Sequence, residues 1–489
     1  MKRPLLLLAV VLGAVLVTAF VPARATAAPS VVDQNLAVRT AASGLDQPIS
    51  IAFLGPNDML VLEKATGKVQ RVVNGEVRST VLDLAVNSAS ERGLLGIALH
   101  PHFFTTGRVY LYWTETVSGT DSAELADVPL LGNRVDRFVW NGSTLTFDKN
   151  IVRLRAFQAD AGQPLRGNHD GGVLRFGPDE KLYVVIGDNG RRGQLQNLVN
   201  GPFGPGIDDD QFGGPEPDDA HLTGVILRVN DDGTTPTSNP FFGAGASIGG
   251  QVGANIQNIF AYGLRNSFGM AFDPVSGALW EQENGDDSFS EVNRADPGFN
   301  SGWVQIMGPP ERIAQFKAIE TTVTPSPPDP FAATYFGLQQ IRWLPTNIAD
   351  SPAEALSRLF MLPGAHYSAP EMSWKFEVAP AGIGFLQSSA LGPQYQNDLF
   401  VGGARPFLEG GHLFHLNLTG NRQKIGVDDP RLADRVADNI HKWEITESES
   451  LLFGRNFGVG TDVQTGPNGN LYVVSLSDGV VYEVFRPKK

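Results

Sequence analysis

Among the eight histidines of the chain, one stands where a reaction could use it. His169 lies in Arg166-Gly167-Asn168-His169-Asp170-Gly171-Gly172. The flanking glycines allow another group to approach the backbone closely, and the neighbouring amide and carboxylate suit the orientation of an imidazole ring. A neutral imidazole is a competent general base near neutral pH. A loop histidine that only bonds its neighbours would show the same local pattern, so the motif leaves both roles open. His100 and His102 flank Pro101 in a turn and read as structural. His412 and His415 are three apart on an expected strand, so they face opposite sides and make no shared metal site.

Two further clusters carry polar chemistry. Tyr262-Gly263-Leu264-Arg265-Asn266-Ser267-Phe268-Gly269 places an arginine and an asparagine at the entry to a strand. The guanidinium fork suits an anionic or carbonyl-bearing ligand, although pairing with a surface carboxylate is an equal alternative. Glu281-Gln282-Glu283-Asn284-Gly285-Asp286-Asp287, with Glu291 and Asn293 beyond, concentrates oxygen atoms in a glycine-containing loop. Such a loop suits Ca²⁺ but lacks EF-hand spacing, and a solvated acidic loop reads the same way. No GxSxG, HExxH, Walker or dinucleotide glycine motif occurs in a suitable context.

The elements that must position these residues recur along the chain. The unit is an apolar strand, a turn with proline, and a second strand of Leu-Tyr-Val type. It begins at Ile51, Ile97, Val173, Met270, Ile383 and Val463. A third strand follows most copies, as at residues 67–72, 224–229 and 411–416. Alternating apolar and polar positions favour strands over helices. Six units predict an all-β fold, a six-bladed β-propeller with long inserted loops. A two-domain chain with a β-sandwich is the alternative. Residues 200–219 read as a surface loop and 308–369 as the largest insertion, with residues 352–360 the one short helix expected after the N-terminal segment. Long inserts on a rigid scaffold commonly carry specificity.

Composition agrees. The chain has 489 residues, 55 glycines and 33 prolines, which favours a turn-rich fold. It has no cysteine, so disulfides, thiolate nucleophiles and Cys-ligated metals are excluded. The net charge of −14 argues against a nucleic-acid partner. Lys2 and Arg3 precede an apolar run from Leu5 to Phe20 and small residues around Ala23–Ala28, the pattern of a secretory signal peptide over 1–28. The remainder, 29–489, is then expected as one exported domain, secreted or periplasmic in a bacterium, with no later membrane span.

Five stretches together resemble the soluble PQQ-dependent sugar dehydrogenases, the glucose/sorbosone dehydrogenase family. They are Arg92–Pro101, Asn168-His169 through Ile186-Gly187-Asp188, Leu227–Gly233, Tyr262–Asn266 through Phe272-Asp273-Pro274 with the 283–293 segment, and residues 462–474. The resemblance implies a six-bladed propeller with PQQ in a cleft near its axis. It implies that His169 is the base that takes the hydroxyl proton while hydride passes from sugar to quinone. It also implies that Arg265 and Asn266 meet the cofactor, with Arg265 stabilising the reduced quinone. Gly285 and Asp286 would hold Ca²⁺ through backbone carbonyls, and Arg405 and Thr461 would border the cofactor. Glu91, Asn168, Gln194 and Trp374 would line the sugar pocket. An external electron acceptor completes the turnover. Glucose-oxidising members carry two arginines where this chain has Val459 and Thr461, with Arg455 just upstream.

Three functions are compatible with these features: a secreted quinoprotein oxidising a sugar or polyol, a propeller without the quinone that binds carbohydrate or protein, and a Ca²⁺-dependent lactonase. The last requires several side-chain carboxylates on one metal.

Overall fold

A computed structural model describes residues 27–157, 167–190, 222–321, 348–404 and 410–488. Each recurring apolar–turn–apolar unit folds as the first antiparallel pair of a sheet. The first sheet is Pro48–Gly55, Asp58–Glu63, Lys68–Val73 and Glu76–Asp83 in sequence order. The second is Leu94–Leu99, Arg108–Thr114, Asn133–Trp140 and Leu145–Leu154. The third begins with Leu174–Phe176, Leu182–Ile186, Val225–Val229 and Ile259–Tyr262. The fourth begins with Gly269–Phe272, Leu279–Glu283, Ser288–Arg294 and Met372–Phe376. The fifth runs from Pro380–Phe385 through Leu399–Gly403 and His412–Leu416 to Leu452–Arg455. The last joins Gly460–Thr465, Leu471–Ser475 and Val480–Phe485 to Ala37–Ala42.

The first strands of successive sheets pack against one another, and the last packs back on the first, so they form a closed ring. The expectation of an all-β propeller holds. Closure is made by the chain ends: Val38 pairs with Val484 and Ala42 with Val481. Radial closure leaves only short sheet edges, those of the outermost strands.

The core lies between neighbouring sheets, not within one centre. Leu60 and Leu62 of the first sheet pack with Leu94, Ile97 and Leu111 of the second. Tyr110 and Tyr112 pack with Leu182, Val184 and Leu227 of the third. Period-two burial on both faces explains why these strands read as near-continuous apolar runs.

The fourth strand of each sheet was not visible in the repeat. In the first sheet that strand, Glu76–Asp83, lies at the solvent edge with five consecutive residues exposed, so it carries no apolar run. The expectation of a single short helix is also corrected. Pro352–Ser357 is helical, capped by Ser351 Oγ accepting from the Glu354 amide at 3.2 Å. Phe242–Ile248, Gly250–Asn258 and Ile313–Thr321 are helical as well. The first two are rich in Gly and Ala and show little apolar periodicity, so they carry no clear helical pattern. The expected signal segment falls almost wholly outside the described residues, as does the loop at 200–219. No helix among the described residues is long and apolar enough to cross a membrane.

Candidate active site

The N-terminal ends of the first strands surround a cavity of about 610 Å³ on the propeller axis. Ser50, Gly96, Val173, Ala381 and Thr461 reach it from different sheets. On the far side, Arg175 Nη2 donates to Asp462 Oδ1 at 2.9 Å. Arg175 also borders a second cavity of about 430 Å³ around Ile51, Phe176 and Phe385, so this ion pair lies between the two.

His169 lines the main cavity and is only 2% exposed. Its backbone has φ 62°, a left-handed conformation that is uncommon away from glycine and concentrates at functional positions. Its amide donates to Glu91 Oε2. The ring is oriented by a residue that sequence reasoning did not single out: Nδ1 lies 2.5 Å from Asp188 Oδ1. The other carboxylate oxygen, Oδ2, accepts from Trp303 Nε1 at 2.7 Å. Burial alone would raise the Asp188 pKa, but His169, Arg265 and the Trp303 N–H outweigh it and hold the carboxyl below its usual range. An ionised Asp188 accepts, so Nδ1 carries the proton and Nε2 is the basic nitrogen.

The neighbouring carboxylate expected to orient the ring is engaged elsewhere. Asp170 turns to Asn133, whose Nδ2 donates to Oδ1 at 2.8 Å. Burial pushes the Asp170 carboxyl up to about 6. Asp188 was legible only as a carboxylate closing the second strand of a repeat unit, at Ile186-Gly187-Asp188. Gly187 is the hinge of the arrangement. A Cβ there would stand 2.6 Å from the Arg265 carbonyl oxygen and 2.7 Å from that of His169. Only glycine lets the two segments converge.

Arg265 is buried and lies over Trp303, with its guanidinium carbon 5.4 Å from the ring centroid. Its Nη1 donates to the carbonyls of Asn284 and Gly285, both at 2.8 Å, and Nη2 to Asp286 Oδ1 at 2.9 Å. Burial opposes its charge, but Asp286 and Asp188 more than compensate and raise its pKa. Asn266 lines the cavity and is 4% exposed, and its buried Oδ1 has no hydrogen-bond partner among the described residues. Such a group is costly unless a ligand or water meets it.

Glu91, Asn168, His169, Arg265, Asn266, Gly285, Asp286 and Thr461 therefore converge on one cavity. Trp374 does not. It is fully buried in the fourth sheet, tilted against Phe414 at 5.3 Å, within a core cluster that includes Ile383 and Val401. A large aromatic on a fourth strand reads equally as ligand platform or as core, and here packing claims it. Gln194 and Arg405 lie outside the described residues. Arg455 is exposed on the fifth sheet, where it pairs with Ser30, and offers nothing to the cavity. Lys442 and Glu377, which no motif marks, do line it.

The expected calcium ligands do not fit that role. The Gly285 carbonyl accepts from Arg265, and the Asp286 carbonyl accepts from Lys442 Nζ at 3.1 Å. Both oxygens face side-chain cations. Among the described residues no group of three or more His, Asp or Glu side chains is arranged to hold a metal.

Fold and site together define a propeller with a carboxylate-oriented histidine and cationic side chains around an axial cavity. The profile of the Glucose / Sorbosone dehydrogenase family matches residues 45–311, and the chain belongs to that family. It is 30% identical over 280 residues to quinoprotein glucose dehydrogenase B of Acinetobacter calcoaceticus, a match covering 56% of this chain and 54% of that protein. So this chain matches about half the length of that relative. It is 24% identical over 433 residues to the aldose sugar dehydrogenase YliI of Escherichia coli K12, covering 88% and 87%. Among solved structures, the PQQ-bound aldose sugar dehydrogenase of Streptomyces coelicolor superposes with a TM-score of 0.53 at 22% identity, covering 94% of this chain and 100% of that one. That likeness concerns the fold.

Proposed function

We propose that the chain is a secreted or periplasmic quinoprotein that oxidises a hydroxyl of a sugar or polyol, with PQQ as cofactor. Six sheets of four or more strands occur among the described residues, and this reading takes each as one blade. The observation that carries the reading is the His169–Asp188–Trp303 chain beside Arg265 and Asn266 in one axial cavity. The names of the family and of the relatives above support it.

Four cationic side chains, Lys64, Arg175, Arg265 and Lys442, border the cavity beside the carboxylates Glu91, Asp286, Glu377 and Asp462, and are the groups that would meet the carboxylates of PQQ. Val459 and Thr461, which carry no charge, border the same cavity. When bound, PQQ supplies the quinone that accepts hydride from the carbon bearing the hydroxyl. The chain's own part is to hold that hydroxyl against His169 and remove its proton at Nε2, so the carbonyl forms as hydride leaves. Asp188 keeps the ring in the required tautomer and stabilises the imidazolium that results. Arg265 places positive charge where negative charge develops. An external electron acceptor restores the oxidised state. Calcium assistance is not part of this reading, because its expected ligands serve Arg265 and Lys442.

The test is to incubate the purified chain with PQQ and offer a panel of aldoses with an artificial electron acceptor. Sugar-dependent reduction of the acceptor is expected, and failure to bind PQQ at micromolar levels would refute the proposal. A second reading, a saccharide-binding propeller without a quinone, is favoured by Val459 and Thr461. It predicts saccharide affinity that PQQ leaves unchanged.

A further inference from the structure

Lys442 has no role in the reaction derived above, yet it is one of the best-anchored cations in the molecule. Its side chain is 13% exposed. Nζ donates to Asp287 Oδ1 at 2.6 Å and to the Asp286 carbonyl at 3.1 Å, and lies 3.6 Å from Glu377 Oε2. The Trp443 ring centroid is 5.7 Å away. Burial opposes the charge of the ammonium, but Glu377, Asp287 and Asp286 outweigh it and raise its pKa above that of an ordinary lysine. The loop it caps is fixed from behind. Glu320 Oε1 accepts from the amides of Asp287 and Ser288, both at 3.0 Å, and from Ser288 Oγ at 2.6 Å. A Cβ at Gly285 would stand 1.7 Å from the Ser288 carbonyl oxygen, so the loop is held tightly folded.

We propose that the Lys442 ammonium is a built-in cation at the Gly285–Asp286 loop, replacing a metal ion there and making binding of the anionic cofactor independent of divalent cations. The physical ground is occupancy. A hard divalent ion needs several oxygen ligands free to face it. Here one carbonyl is bonded to a guanidinium and the next to an ammonium, and the side chains of Asp286 and Asp287 are paired with the same two cations. A divalent ion entering would meet two positive charges at short range. Lys442 and Arg265 occupy the loop oxygens that a metal would need, without a metal's dissociation equilibrium. The cofactor part of this inference rests on the quinoprotein reading; the exclusion of the metal does not.

The test therefore has two arms. In the first, calcium stoichiometry is measured by calorimetry on the cofactor-free chain, wild type and Lys442→Gln, up to about 1 mM, the range of weak extracellular sites. One additional site in Lys442→Gln is expected, since the substitution removes the cation that bonds Asp287 Oδ1 and the Asp286 carbonyl and lies 3.6 Å from Glu377 Oε2. Equal stoichiometry in the two proteins would overturn the proposal. In the second arm, PQQ affinity of the wild type is measured in EGTA and in excess Ca²⁺. Affinities within about twofold are expected, whereas binding only with Ca²⁺ would overturn it. Lys442→Gln is expected to lose about tenfold in affinity in EGTA, the scale of one charge-assisted contact, and to regain it with Ca²⁺. Should Lys442→Gln not fold, the wild-type comparison still decides. Wild type that binds no PQQ under either condition would refute the quinoprotein reading, while the first arm still judges the lysine.

Discussion

At the scale of the residue, the site depends on a proton held at one nitrogen. Asp188 accepts from His169 Nδ1 on one oxygen and from Trp303 Nε1 on the other, and the Gly190 amide also donates to Oδ1, at 2.8 Å. Every neighbour of the carboxylate is a donor, so an amide in its place meets an N–H with an N–H on one side. Asp188→Asn is expected to lower kcat by about tenfold or more while PQQ affinity holds, as general-base geometry is lost and the cavity is not. His169→Ala is expected to lower kcat by about 10² to 10⁴. Full activity in steady-state assays of either variant would remove its assigned role. The histidine itself was legible from its glycine-rich setting. Its partner was not, because nothing local marks which of Asp170 and Asp188 meets the ring. That choice depends on Asn133 taking Asp170 from the neighbouring sheet.

At the scale of the element, first strands bring the site together and glycines let them approach. The repeat revealed the first two strands of every sheet because both are buried and carry continuous apolar residues. It missed outer strands such as Glu76–Asp83, whose exposed residues leave no apolar run, and the short helices of residues 242–258, whose small residues carry little periodicity. Lys442 was illegible for a different reason. It comes from a connection with little regular structure and reaches the cavity only through tertiary folding. Gly187→Ala tests the convergence directly. The added methyl meets two backbone carbonyls that cannot both retreat, so a loss of about 1–3 kcal/mol is expected in chemical denaturation, with activity falling further than stability explains. An unchanged melt and unchanged kcat would show that the segments have slack.

At the scale of the whole molecule, buried carboxylates make stability depend on pH. Burial raises Glu281 and Glu320 to about 8 and Glu291 to about 7, and it holds Glu283 well above the usual range with help from the charges of Glu281 and Glu291. For an acid whose folded pKa is raised, the folded state holds more protons than the unfolded one between the two pKa values. Its stabilising contribution is complete below the unfolded value and is lost as pH rises through the folded one. Melting temperature is therefore expected to fall between about pH 5 and pH 8, and Glu281→Gln is expected to flatten part of that slope. A melting temperature that rises across this interval would show that the cluster is not protonated in the fold. The same closed ring that buries these groups surrounds the cavity that holds His169 and Arg265, and the central claim is that this cavity takes a quinone. Titrating the purified chain with PQQ in EGTA, followed by aldose with an artificial acceptor, tests that most directly. Saturable binding at micromolar concentration or tighter, with sugar-dependent reduction of the acceptor, is the predicted result; no binding of PQQ would contradict it.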